Sequence, residues 1–233
     1  MSAYFVAGTD TDAGKTLVTA GLLALARRRG LTTLGLKPIA SGSEATADGL
    51  RNADALALQA QSHPPLPYTA INPYAFAPAI APHLAARRAG VDLGLDALEA
   101  HARPLLALGR QLTLIEGAGG WRVPLNDHQD LAGLAIRLEL PVILVVGLKL
   151  GCLNHARLGA EAIAADGLRL AGWVGSLLDP DFAADSACYR DNLATLRQHL
   201  PGPCLGVIPR LAATTPPALA EAAADHLALP DGD

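Results

Sequence analysis

Tyr4 to Thr16 reads YFVAGTDTDAGKT, an apolar run that breaks at a glycine turn and ends in Gly-Lys-Thr. The apolar run predicts a strand. Residues 14–29, with Leu17, Ala20 and Leu25 on one face, predict the helix that follows it. The general phosphate-loop pattern is G-x-x-x-x-G-K-S/T between strand and helix. Here the loop between Gly8 and Gly14 is one residue longer than in that pattern. In this setting backbone N–H groups at the helix N-terminus face phosphates. Lys15 is placed to reach the β- and γ-phosphates, and the Thr16 hydroxyl to ligate Mg²⁺. Asp10 and Asp12 sit oddly in such a cradle, because they put negative charge where an anion should bind.

Outward from this loop the chain alternates short apolar runs with longer helical patterns. Strands are predicted at 32–37, 111–116, 141–147, in LAGWVGSLL and in CLGVIP. Helices are predicted at 53–61 with Asn52 as N-cap, 92–109, 128–139, up to 166, 185–200 and 215–228. Strands apolar on both faces and separated by helices give a mostly parallel sheet with helices on both faces. The expectation is an α/β, single-domain P-loop NTPase-like fold over 1–228, with 229–233 a frayed tail. The Pro-rich stretch 63–82 is expected to form a long surface excursion.

Two further strand ends should meet the loop, because strand C-termini converge on the ligand crevice of an open α/β sheet. Glu116 ends an apolar strand before the turn Gly117-Ala118-Gly119-Gly120, a position suited to holding Mg²⁺. Lys37 ends another, followed by Pro38 and the hydroxyls of Ser41 and Ser43. A cation there suits charge that builds on a transferring phosphoryl group.

The chain carries a net charge of −4, which argues against a nucleic-acid surface. Its cations are nearly all arginine; the lysines are Lys15, Lys37 and Lys149. Cys152, Cys188 and Cys204 show no metal spacing and read as small hydrophobes in a reducing compartment. The seven histidines show no metal spacing either, although His155 follows a glycine turn. No apolar run approaches the roughly 20 residues that span a bilayer. A cytoplasmic protein without membrane or nucleic-acid partner is expected.

GTDTDAGKT, LKPIASG, NADALALQ, NPYAFAP…APH, EGAGGW, PVILVVGLKLGCLNHA and LAGWV occur in this order. Together they resemble the dethiobiotin synthetase family, the ATP-dependent carboxylating cyclases of biotin synthesis, from the N-terminus to about residue 210. The resemblance implies a Mg²⁺- and ATP-dependent ligase. Its partners would be 7,8-diaminononanoate, CO₂ or bicarbonate and a nucleoside triphosphate. It also implies a homodimer with the substrate site at the interface. Lys15 and Lys37 would stabilise phosphoryl and carbamate charge, Thr11 and Ser41 would hold the carbamate, and Thr16, Asp54 and Glu116 would position Mg²⁺. The nucleotide would meet Asp12, Ala13, Gly14, Lys15, Thr16, Leu17, Asp54, Glu116, Gly117, Ala118, Gly119, Ser176, Ile208, Pro209 and Arg210. Gly151, Cys152, Leu153, Asn154 and Tyr189 would receive the diamine's carboxylate, with Lys149 close by. Asp12 would face the amine side or a metal-bound water, which gives the loop two ligands to serve.

One departure stands out. After AGWV the family commonly carries an Asn-Asp pair for the adenine edge, and this chain has Gly175-Ser176-Leu177. Poor discrimination of the base, or its reading through backbone near Ile208–Arg210, is expected. The alternative reading is a partition- or septum-positioning P-loop ATPase. Those proteins usually carry a second lysine at the position of Asp10, and the helix at 215–228 lacks the basic residues of a membrane anchor.

Overall fold

Val142–Leu148, VILVVGL, is buried at every position, which a strand can be only inside a sheet covered on both faces. The computed structural model describes residues 1–230 and places this strand near the middle of a parallel sheet. In chain order the elements are β1 (Ser2–Gly8), α1 (Lys15–Arg28), β2 (Thr33–Leu36), β3 (Ile39–Ser41), β4 (Glu44–Thr46) and β5 (Gly49–Arg51). Then come α2 (Ala53–Ala60), α3 (Tyr68–Ile71), β6 (Tyr74–Phe76), α4 (Pro82–Arg88), α5 (Leu95–Leu106), β7 (Leu112–Glu116), α6 (Ala132–Arg137) and β8 (Val142–Leu148). The chain continues through α7 (Cys152–Ala165), β9 (Leu170–Leu177), α8 (Pro180–Ala184), α9 (Ser186–His199), β10 (Cys204–Ile208) and α10 (Pro216–Ala224).

The main sheet runs β10-β9-β8-β1-β7-β2, all parallel. The chain leaves β1 toward β2 on one side and later builds β8, β9 and β10 on the other. The order therefore reverses around β1, and a crevice opens beyond the C-termini of β1, β7 and β2. The loop after β1, Glu116 at the end of β7 and Lys37 after β2 all project there. A continuous apolar cluster containing Val6, Leu22, Leu114, Val145 and Trp173 fixes these strand ends relative to one another.

The segment 63–82 departs from expectation. It forms elements rather than only a surface excursion: Tyr68, Ile71, Asn72 and Phe76 are buried and β6 pairs in parallel with β3, while residues 63–65 and 77–79 stay exposed. Pro73 and Pro78 flank β6 without entering it, so its own N–H groups remain available for the pairing. The Asn72 amide completes it, donating to Lys37 O at 2.6 Å and accepting from the Tyr68 hydroxyl at 2.8 Å. The tail also departs from expectation. Leu229 packs against the core and Pro230 is buried, so the chain stays docked as far as Pro230; residues 231–233 lie outside the described residues.

Candidate functional site

The Gly8–Thr16 loop folds as its glycines require. Gly14 adopts φ +91°, and a Cβ there would fall 2.4 Å from Ser176 Oγ, so only glycine fits. A Cβ on Gly8 would come within 2.9 Å of Lys15 Nζ. Asp12 also lies in the left-handed region, at φ +57°, which Asp tolerates better than most side chains. Lys15 and Thr16 open α1, so the free N–H groups of its first turn point into the crevice.

Lys15 Nζ donates to Asp10 O at 3.0 Å across the loop. Burial pushes its pKa down to about 8, and the neighbouring Lys37 adds to this against the pull of Glu116, Asp54 and Asp12. Lys37 behaves in the opposite way. Burial opposes its charge, but Glu116 and Asp54 outweigh burial and hold its pKa above the ordinary lysine value. Its Nζ lies 2.6 Å from Glu116 Oε1, 3.1 Å from Gly117 O and 3.5 Å from Asp54 Oδ2.

Thr16 Oγ1 donates to the same Glu116 Oε1 at 2.8 Å, whereas Glu116 Oε2 is buried without a partner. A buried carboxylate oxygen left over beside a hydroxyl and Asp54 is an all-oxygen donor set suited to a hard cation. Among the described residues no group of three or more His, Cys, Asp or Glu side chains could hold a metal. An ion here would thus share its shell with phosphate oxygens, as Mg²⁺ does in nucleotide sites. The residues present fit it.

The cleft occupies about 880 Å³ and gathers Thr11, Asp12, Gly14, Lys15, Thr16, Leu17, Lys37, Ser41, Asp54, Glu116, Ala118 and Gly119. Ser41 Oγ is buried and unpartnered, a hydroxyl left for a ligand. Asn52 steadies that corner, capping α2 through Asp54 N and Ala55 N while donating to Ser41 O at 3.2 Å. Ala79–Pro82 close the far wall. The sequence reading missed them, although a proline opening α4 and arginines in its last turn were available signals.

Other candidates lie outside this cleft. Ala13 is buried beneath the loop. Ser176 is buried under Gly14 and registers with Ile208 of β10, so Pro209 and Arg210 leave the sheet at the same end. Gly151 opens α7 at φ +94° with Cys152 buried and Asn154 exposed. Tyr189, half-buried on α9, meets Phe182 edge-on at 6.1 Å, and burial raises its pKa. Lys149, part-exposed, has its head group engaged: its Nζ lies 3.3 Å from Asp10 Oδ2.

A family model described as an AAA domain matches residues 2–218. The ATP-dependent dethiobiotin synthetase of Chromohalobacter salexigens is 74% identical, covering 99% of each chain. That of Pseudomonas aeruginosa is 58% identical, over 94% of this chain and 95% of its own. Among solved structures, the MinC:MinD cell division protein complex of Aquifex aeolicus aligns at TM-score 0.57 and 12% identity, covering 96% of this chain and 86% of that one. A ParA family ATPase from Chlorobium tepidum aligns at 0.52 and 11%, covering 97% and 90%. At such identities these two likenesses speak to the fold alone, which is that of P-loop NTPases.

Proposed function

The chain belongs to the ATP-dependent dethiobiotin synthetases, ligases of biotin biosynthesis that use Mg²⁺, and from that membership and the cleft's geometry we propose how its residues share the reaction. CO₂ adds to one amine of 7,8-diaminononanoate, and the nitrogen loses a proton to give a carbamate. A carbamate oxygen attacks the γ-phosphorus of ATP; the bond to the β-phosphate oxygen breaks and ADP leaves. The second amine then attacks the carbonyl carbon of the mixed anhydride, expelling phosphate and closing the ureido ring. Catalysis in this scheme is positioning and charge stabilisation.

The observation that carries the assignment is the Lys37–Glu116–Thr16 cluster beside the loop. The N–H groups from Asp12 to Leu17 take the phosphates, and Lys15 neutralises charge on them. Lys37 faces the transferring group, while Thr11 and the unpartnered Ser41 hydroxyl hold the carbamate. Thr16, Asp54 and Glu116 would hold Mg²⁺, which when bound neutralises β- and γ-phosphate charge. Gly117, Ala118 and Gly119 let backbone approach the nucleotide, and Ile208–Arg210 border its base, with Ser176 as a floor that cannot pair with the adenine edge as an Asn side chain does.

The diamine's carboxylate goes to the α7 N-terminus at Gly151–Asn154, with Tyr189, across the interface of a homodimer. Leu150 and Leu158, 86% and 56% exposed on this face, suit such an interface. No helix among the described residues is long and apolar enough to cross a membrane. The net charge of −4 and the family membership favour a cytoplasmic enzyme that works without nucleic-acid or membrane partners.

The test is direct. Purified protein given the diamine, bicarbonate and Mg²⁺ with ATP, GTP or CTP should release phosphate only when the diamine is present. It should form the ureido product with comparable kcat/KM for the three nucleotides. Lys37→Gln should lose turnover while keeping nucleotide affinity. Diamine-independent phosphate release sinks the synthetase assignment, and a preference for ATP of about 10³ or more sinks the weak base discrimination.

A further inference from the structure

The lysines of this arginine-rich chain all converge on one place. Lys15 and Lys37 are buried and face the cleft, whereas Lys149 stands behind the loop with 41% of its side chain exposed. Its Nζ reaches Asp10 Oδ2 at 3.3 Å. The other carboxylate oxygen, Asp10 Oδ1, accepts the Thr11 N–H at 2.8 Å, and the Asp10 carbonyl accepts Lys15 Nζ at 3.0 Å. Asp10 thus fixes both the peptide of Thr11 and the ammonium of Lys15. Thr11 Oγ1 lies on the cleft side, 3.6 Å from where a Cβ on Gly119 would stand. At its own backbone Lys149 begins the next turn, its carbonyl accepting the Cys152 N–H at 3.0 Å.

A pair this exposed adds little to fold stability, so its use must lie in charge and position. Asp10 has a geometric duty toward Thr11 but carries a negative charge one residue from the hydroxyl assigned to an anion. Like charge at that range opposes binding unless a cation neutralises it.

We propose that Lys149 is a positioning residue for the reaction: by neutralising Asp10 it lets the Asp10–Thr11 turn hold an anionic carbamate that the bare carboxylate would repel. This rests on the assignment of Thr11 to the carbamate. It also accounts for a lysine kept where its head group is already engaged and therefore does not bind the substrate carboxylate directly.

The experiment is a charge cycle read by steady-state kinetics and by calorimetric titration with a non-hydrolysable ATP analogue. Lys149→Gln should raise KM for the diamine, or lower kcat, by about tenfold, the size expected of one unneutralised charge at this range. Analogue affinity should stay within about twofold. Lys149→Arg should keep most of the activity. The decisive variant is Asp10→Asn/Lys149→Gln. Its neutral amide still accepts the Thr11 N–H, so it should recover most of what Lys149→Gln loses.

The proposal is overturned if the double variant is no better than Lys149→Gln. It is overturned equally if analogue affinity falls in step with diamine use. Thr11→Val separates the two layers of the argument. If it leaves diamine KM and kcat unchanged, the carbamate assignment itself fails. If it impairs diamine use while Lys149→Gln does not, only the role of Lys149 fails.

Discussion

Lys15 holds its charge against burial, and the direction of that conflict can be measured. Its pKa falls from 10.5 to about 8 in the folded chain, so between these values the unfolded state binds more protons than the folded one. The destabilisation is therefore fully present below pH 8 and is relieved as pH climbs toward 10.5. Lys15→Met should raise the Tm of nucleotide-free protein at pH 7, and the advantage should shrink by pH 9.5; thermal denaturation at both values checks it. Binding carries the opposite sign. Phosphates favour the ammonium, so wild-type affinity for the ATP analogue should weaken above pH 8 by up to about tenfold per unit. Lys37 is tuned the other way by Glu116 and Asp54, and one cleft thus contains a lysine ready to release its proton beside one that keeps its own.

The short elements between β2 and α4 set the corner where Asp54 and Ser41 meet. Asn52 caps the start of α2 with its side-chain oxygen, donates its side-chain amide to Ser41 O, and donates its own backbone N–H to the Tyr68 hydroxyl at 2.8 Å. Asn52→Ala removes the cap and the tie together. It should cost roughly 1–2 kcal/mol, or about 2–8 °C in Tm for a chain of this length, by scanning calorimetry. Asn52 as cap was legible because its pattern is local: a short polar side chain with Asp54 in the first turn behind it. So were α1, β7 and β8, whose periodicity or unbroken apolar character spans enough residues to be read. The parallel pairing of β3 with β6 was not. Each contributes three residues, too few for a period, and the partner comes from a proline-rich stretch more than thirty residues away. The side chains that stabilise it, Asn72 and Tyr68, are polar groups satisfied only by tertiary contacts. For the same reason sequence could bring Lys37 and Glu116 to one crevice but could not show that Lys37 and Thr16 share Oε1 and leave Oε2 open.

At the scale of the whole molecule, the reversal of strand order at β1 explains why residues 37, 54 and 116 can serve a loop near the N-terminus. The phosphate loop is also tied to the far end of the chain. The helix it opens crosses α10 so closely that a Cβ on Gly21 would fall 2.8 Å from Ala223 Cβ. Arg28, at the other end of α1, pairs with Glu221 at 2.7 Å and Asp225 at 2.6 Å. The scarcity of lysine has a consequence for chemical labelling. Arginine supplies nearly all the surface cations, so an amine-acylating reagent finds almost no targets away from the site. The exposed N-terminus and Lys149 should react early, while Lys15 and Lys37, 7% and 5% exposed, should lag. Mass spectrometry of peptides cut after arginine can follow each in turn. Lys15, about half neutral near pH 8, is the readier nucleophile of the two buried lysines. Its acylation rate therefore reports how far reagent reaches the phosphate loop, and bound nucleotide, by covering Lys15, should suppress it.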